Sequence, residues 1–172
     1  ENQRSQAAAK ARGVQTVSRS FLESKLINSL TEIKVDGRVC AVDGGILGEE
    51  LHFVDLLLVR SAGACFDYKD GKKEGHEYYP NAFPQPAIKN MHALASHEFN
   101  WFKNLTRVES ELDCAIGCVE KFSPNALFMD GSVVPHPADK PNKESSLYDD
   151  YERVITKFKQ LYSQCAKKNC FL

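Results

Sequence analysis

Two apolar runs in this chain end in the same way. Residues 38–46 read RVCAVDGGI and residues 125–134 read NALFMDGSVV. In each, strand-forming residues run into Asp-Gly, at Asp43-Gly44 and at Asp130-Gly131. Open α/β sheets place their ligands at strand C-termini. Glycine there lets the backbone turn sharply and leaves room beside the carboxylate. Asp-Gly also closes ordinary turns, so one copy alone says little. Two copies on neighbouring strands would set two carboxylates side by side, and bare like charges so placed force one to take up a proton. A hard divalent cation, magnesium or manganese, removes the conflict. Metals held this way can activate water and stabilise the leaving oxygen in phosphodiester cleavage.

The rest of the pattern gives a setting for the two strands. Residues 3–34 read as helical, with Phe21, Leu22, Leu26, Ile27 and Leu30 at helical spacing. Residues 38–42 read as the first strand, followed by a glycine-bearing loop. Residues 51–68 fit one long strand, or two with a bend near Gly63. KDGKK is a hairpin turn by composition, with EGHEYYP as the returning strand. Proline-rich PNAFPQP then separates this β region from helices. Residues 92–122 carry an apolar stripe of Trp101, Leu105, Val108, Leu112, Ala115, Ile116 and Val119. Residues 125–129 form a short buried strand. Residues 147–165 form a second amphipathic helix, with Leu147, Tyr151, Val154, Ile155, Phe158, Leu161 and Tyr162 on its core side. The closing NCFL reads as the start of another strand, so the chain reads as a fragment. Early antiparallel strands followed by alternating β and α elements define a mixed α/β sheet with flanking helices. Residues 1–35 form an N-terminal helical region, and residues 36–172 form the core.

Bulk properties narrow the function classes. The 172 residues suit one domain with a substantial core. No apolar stretch approaches the roughly 20 residues that span a bilayer, and the polar start has no signal-peptide core, so a cytoplasmic protein without membrane contact is expected. Six cysteines are present without a C-x-x-C pair. Zinc sites need tighter spacing, and the six are expected to be buried free thiols in a reducing compartment. A net charge of −1 does not by itself attract nucleic acid. A nucleic-acid enzyme with this balance needs a local basic groove or a basic partner. Lys157, Lys159, Lys167 and Lys168 are one patch, which also reads as a solvated helix face. Tyr78, Tyr79, Phe83, Trp101 and Phe102 could stack on bases, although Trp101 and Phe102 fit the core better.

A third carboxylate should come from the helix before Asp130, which carries Glu109, Glu111 and Asp113. Glu109 and Glu111 flank opposite edges of the apolar stripe, and Asp113 points further out. Geometry alone does not choose between the two glutamates and marginally favours Glu109.

VCAVDGG, then RVESELDCAIG on a helix, then ALFMDGSVVP resemble the NurA nuclease family of archaea and some bacteria. That family shows a hydrophobic-Asp-Gly-Gly strand, a helical Glu with a small residue one turn on, and a hydrophobic-Asp-Gly-Ser strand. The resemblance covers most of residues 36–172, with residues 70–90 poorly matched. It implies a ribonuclease H-like fold and a metal-dependent DNase using Mn2+ or Mg2+. Carried over, the catalytic and metal-holding residues are Asp43, Glu111 and Asp130. Ala115 supplies the small residue after Glu111, and Glu109 stays in reserve. The resemblance implies 5′ to 3′ degradation of single-stranded DNA with internal cutting, in end resection at double-strand breaks, by a homodimer acting with a HerA-type hexameric ATPase. The family continues through a further strand and a late histidine that are not matched here, which implies an incomplete site and little activity alone. His136 is not that histidine and reads as a surface residue.

Two other readings compete. VDGG after a strand also resembles the first phosphate loop of actin-like ATPases and sugar kinases, in which glycine amides hold phosphate. Those proteins favour further glycine plus Thr or Ser, where ILGEE stands here. A non-catalytic assembly module, with long helices docking a partner, is the third.

Overall fold

The computed structural model describes Ser29 and residues 33–92, 94–132, 134, 135, 138 and 140–172. The helical stretch expected over residues 3–34 lies outside these, save that Ser29, Ile33 and Lys34 are not helical. His136 lies outside them too.

Five strands and two helices occur in the order β1 (Gly37–Glu50), β2 (Val54–Lys69), β3 (Lys72–Tyr79), β4 (Ala87–His92), α1 (Ser96–Phe122), β5 (Ala126–Met129) and α2 (Tyr148–Lys168). The result is a mixed α/β fold. The sheet order is β3-β2-β1-β5, with β4 also paired to β2. β1 runs antiparallel to β2 along its whole length and parallel to β5 over Val39–Val42. β2 is one continuous strand, joined to β3 at its C-terminal half and β4 at its N-terminal half. Asp70 and Gly71 join β2 to β3 at φ 51° and 76°. That geometry is the tight two-residue turn that Asp-Gly favours.

β1 does not stop at Val42. Its ladder to β2 continues through Asp43, Gly44 and Gly45 to Glu50. Strand propensity is set more by context than by residue, and two glycines here admit close neighbours. A Cβ on Gly48 would lie 2.7 Å from Leu57 and 2.9 Å from Phe99. β4 is a further correction, because the chain returns to the sheet after the proline-rich segment before α1 begins.

Alternation divides the sheet into two faces. Cys40, Val42, Leu57, Val59, Ser61 and Cys65 are buried on one. α1 covers that face with Leu105, Leu112, Ala115, Cys118 and Val119 buried. α2 packs beside it through Val154, Phe158 and Leu161. Tyr162, expected on the core side, is 37 % exposed. Five leucines of this core (Leu57, Leu112, Leu127, Leu147 and Leu161) are essentially inaccessible, each worth about 1.5–3 kcal/mol of burial. Both helices have acid in the first turn and lysine in the last, and stop on a left-handed residue, Ser123 and Asn169. Phe171 then bridges to Ala126 in parallel, so NCFL does begin to pair with the sheet.

The cysteines depart from expectation at one pair. Cys40 and Cys65 are bonded to each other. They stand 25 residues apart in sequence, and only the β1–β2 register makes them directly opposite. Cys114, Cys118, Cys165 and Cys170 are buried free thiols. Burial pushes Cys170 up to about 12, so it stays an inert thiol. Among the described residues no helix is long and apolar enough to cross a membrane.

Candidate carboxylate site

Asp130 follows the last residue of β5, and Asp43 lies within β1. The register pairs Val42 with Met129, so the next step brings Asp43 level with Asp130. Because β5 ends there, β1 continues beyond Asp43 with a ladder to β2 alone. Both aspartates are exposed. Only Asp130 sits at a strand end, contrary to the expectation for both.

Glu111 reaches this place from the buried side. It is 6 % exposed and lies over Gly44, whose Cβ, if it had one, would sit 2.7 Å from Glu111 Cγ and 2.7 Å from Ser61 Oγ. The clearance at Gly44 therefore belongs to protein side chains, and Gly45 faces open space. The Gly44 amide donates to Asp43 Oδ1 at 2.8 Å and also helps to hold Glu111. Burial raises the Glu111 carboxyl above its ordinary range. Arg107, one turn back at 3.6 Å, pulls it down, and the charges of Asp43 and Asp130 push it up again. Three carboxylates thus share one electrostatic neighbourhood.

Glu109 turns elsewhere. It meets Arg153 and Lys157 of α2, each at 3.3 Å. Burial works against its charge, but Lys157 and Arg153 outweigh this and hold it below the ordinary range. Asp113 also binds Lys157, at 2.6 Å. Lys157 is therefore a strut between the helices and not part of a free basic patch.

Three neighbours were not singled out from sequence. Ser61 and Ser110 join hydroxyls at 2.8 Å beside Gly44, and Arg107 pairs with Glu111. Arg107 had a signal, the i,i+4 spacing to Glu111. Ser61 had none, because its position opposite Gly44 depends on strand register.

The donor set is all oxygen, which suits a hard divalent cation. Mutual repulsion at a buried carboxyl is the condition that such a cation relieves. Among the described residues, no group of three or more His, Cys, Asp and Glu side chains is arranged to hold a metal ion as it stands. The strand through Gly44-Gly45 forms no open loop, and the Gly44 amide is already engaged, which removes the basis for a phosphate loop. An apolar cleft of about 100 Å³ beside β5 is lined by Leu127, Met129, Phe158, Leu161 and Leu172, and among the described residues no ionisable side chain lines it. Of the aromatics, Phe102 is buried, Trp101 is half-buried and donates to Ala138 O at 2.9 Å, Tyr78 and Phe83 are exposed, and Tyr79 packs on Gly117.

Neither a protein-family model nor a curated protein matches the chain. Solved structures do. The crystal structure of the NurA nuclease from Sulfolobus solfataricus is similar over 80 % of this chain and 44 % of that one, at 16 % identity and a TM-score of 0.40. A structure of NurA bound to dAMP and manganese is similar over 82 % of this chain and 34 % of that one, at 12 % identity and 0.45. A third, of NurA, is similar over 80 % and 34 %, at 11 % identity and 0.43. The chain spans between a third and a half of the length of these structures, and over about 80 % of its own length it is similar to NurA nucleases.

Proposed function

We propose that this chain is a divalent-metal-dependent nuclease of NurA type with a ribonuclease H-like core. One observation carries the reading. A helical glutamate lies buried over Gly44 beside two strand aspartates that come level at the end of β5, and burial first, then the charges of those aspartates, raises its carboxyl. A glutamate buried beside two exposed aspartates, with one guanidinium against it, is costly unless something neutralises the charge.

Asp43, Glu111 and Asp130 would hold manganese or magnesium. When bound, the cation supplies charge neutralisation at the scissile phosphate and an activated water. Asp43 and Asp130, on the open side, face the substrate. Glu111 closes the site from the core, and Arg107 offsets part of the cost of its charge. Ser61 and Ser110 fix the floor beneath it. The proposed substrate is single-stranded DNA, cut from the 5′ end and internally during end resection. The proposed setting is a cytoplasmic homodimer working with a HerA-type ATPase. The order of motifs in the sequence supports these finer points.

The test measures Mn2+ binding and manganese-dependent cleavage of labelled single-stranded DNA. Asp43→Asn, Asp130→Asn and Glu111→Gln should each weaken Mn2+ binding and lower any cleavage by roughly 10³-fold. Glu109→Gln should change neither. Mn2+ binding that survives Asp43→Asn, or a wild type that neither binds Mn2+ nor cleaves, would overturn the reading.

A further inference from the structure

The sheet face turned away from α1 carries an ordered row. Tyr78 on β3 stands opposite Ala64 on β2, Ala64 opposite Ala41 on β1, and Ala41 opposite Phe128 on β5. Two methyl groups therefore lie between two aromatic rings. Strand spacing sets Tyr78 and Phe128 about 14 Å apart, and their exposures are 38 % and 63 %. The resulting slot has a flat alanine floor and aromatic walls.

Its two ends differ in charge. One step along the strands lie Ala62, Asp43 and, past the end of β5, Asp130. In the other direction the aromatic wall continues. The His76 ring lies 5.5 Å from Tyr78 and 6.4 Å from Phe66, and Lys73 Nζ is 5.0 Å from the Phe66 ring. Arg60 flanks Asp43 on this same face, opposite Gly45. Of the nearby acids, Asp67 and Glu77 belong to the opposite face, where both pair with Arg38, and exposed Glu74 lies in the bulge beside Lys73.

We propose that this slot binds single-stranded nucleic acid. Unstacked bases sit on Ala41 and Ala64 between Tyr78 and Phe128, with phosphates drawn by Lys73 and Arg60, and the strand leads on to Asp43. Aromatic rings flanked by cations suit a polynucleotide, because bases stack on the rings while the backbone meets the charge. A duplex keeps its base faces stacked inside and offers none to the slot. The proposal deepens the nuclease reading and rests on it for the cleavage step at the carboxylates. The binding step itself needs no metal.

The experiment is fluorescence anisotropy of labelled oligodeoxyuridylate and oligouridylate, which differ only at the sugar 2′ position, at low salt in EDTA. Tyr78→Ala and Phe128→Ala should each weaken binding roughly tenfold, and Ala64→Leu, which fills the slot, should do the same. Tyr78→Phe should bind as wild type, as should Lys159→Ala on α2. Thermal melts within a few degrees of wild type certify each variant. Equal loss on both probes indicates stacking without sugar readout, and loss on one alone identifies the sugar read. Wild-type binding by both Tyr78→Ala and Ala64→Leu would overturn the proposal. So would equal competition by duplex, or a wild type that binds neither probe. Cleavage surviving Asp43→Asn while Tyr78→Ala still loses binding sinks the carboxylate assignment and leaves the slot standing. The converse sinks the slot alone.

Discussion

The two halves of β1 share one partner strand and are built for opposite ends. Below Asp43 the strand is held between β2 and β5. Cys40 and Val42 are buried, Cys40 is bonded to Cys65, and the neighbouring Gly63 lies hard against Cys118 of α1. Above Asp43 the ladder runs to β2 alone. On the inner face glycine stands on either side of Ile46, and the space is taken by Glu111 and Ser61 at Gly44 and by Leu57 and Phe99 at Gly48. The lower half gains stability from close packing. The upper half accommodates like charges, which cost stability until something neutralises them. A single strand can thus be platform at one end and site at the other, provided the packed half is rigid enough to hold the repelling half in place.

The strongest way to break this comparison is Glu111→Gln. The Glu111 carboxyl is raised in the folded state, chiefly by burial. Below its unfolded value of 4.5 it is protonated in both states and its contribution to stability is fully present. As pH rises through the folded value, a buried charge must form and that contribution is lost. In EDTA, Glu111→Gln should therefore melt with wild type near pH 4 and above wild type at pH 8. Any manganese-dependent cleavage should fall at the same time by roughly 10³-fold. A variant that melts below wild type at pH 8 would show that Arg107 already compensates the charge, and the upper half would then be ordinary packing.

Glycine substitutions sharpen the contrast at smaller amplitude. Gly63→Ala drives a methyl group into Cys118 Sγ within the packed half. It should cost about 1–3 kcal/mol in urea denaturation and leave Mn2+ affinity unchanged. Gly44→Ala meets Glu111 and Ser61 side chains instead, at 2.7 Å. That approach is less close than the one Gly63 would make to Cys118, so stability should fall less, while displacement of Glu111 lowers Mn2+ affinity. Gly45→Ala faces open space and should stay within about 0.5 kcal/mol of wild type. Equal losses at Gly63 and Gly44 in both readouts would erase the distinction between the halves.

The sequence made the local elements legible where periodicity was strong. The α1 stripe from Leu105 to Val119, the Asp70-Gly71 turn and the short β5 were all readable from side-chain pattern. Features set by register were not. Cys40–Cys65, the Ser61–Gly44 contact and the alanine slot exist because particular residues fall opposite one another, and one sequence does not carry that alignment. The length of β1 was missed for a related reason, since glycine reads locally as a break but here gives room to a helix. The choice between Glu109 and Glu111 needed the second helix. On a single wheel both flank the stripe, and only the position of α2 assigns Glu109 to Arg153 and Lys157.

That assignment yields a small effect and a specific one. Lys157 joins Glu109 at 3.3 Å and Asp113 at 2.6 Å, across the helix pair and away from β1. Exposed bridges of this kind contribute about 0–1 kcal/mol, and Asp113 is 59 % exposed. Lys157→Met should therefore lower stability by less than about 1 kcal/mol, and the difference should shrink at high salt as screening weakens the wild-type bridge. Mn2+ affinity should not move, because Glu109 released from Lys157 still has Arg153 and still lies on the α2 side of the helix. A rise in Mn2+ affinity on releasing Glu109 would mean that this carboxylate swings over to join Asp43. The two glutamates would then be alternatives for one position, and the division between platform and site would run through α1 as well as through β1.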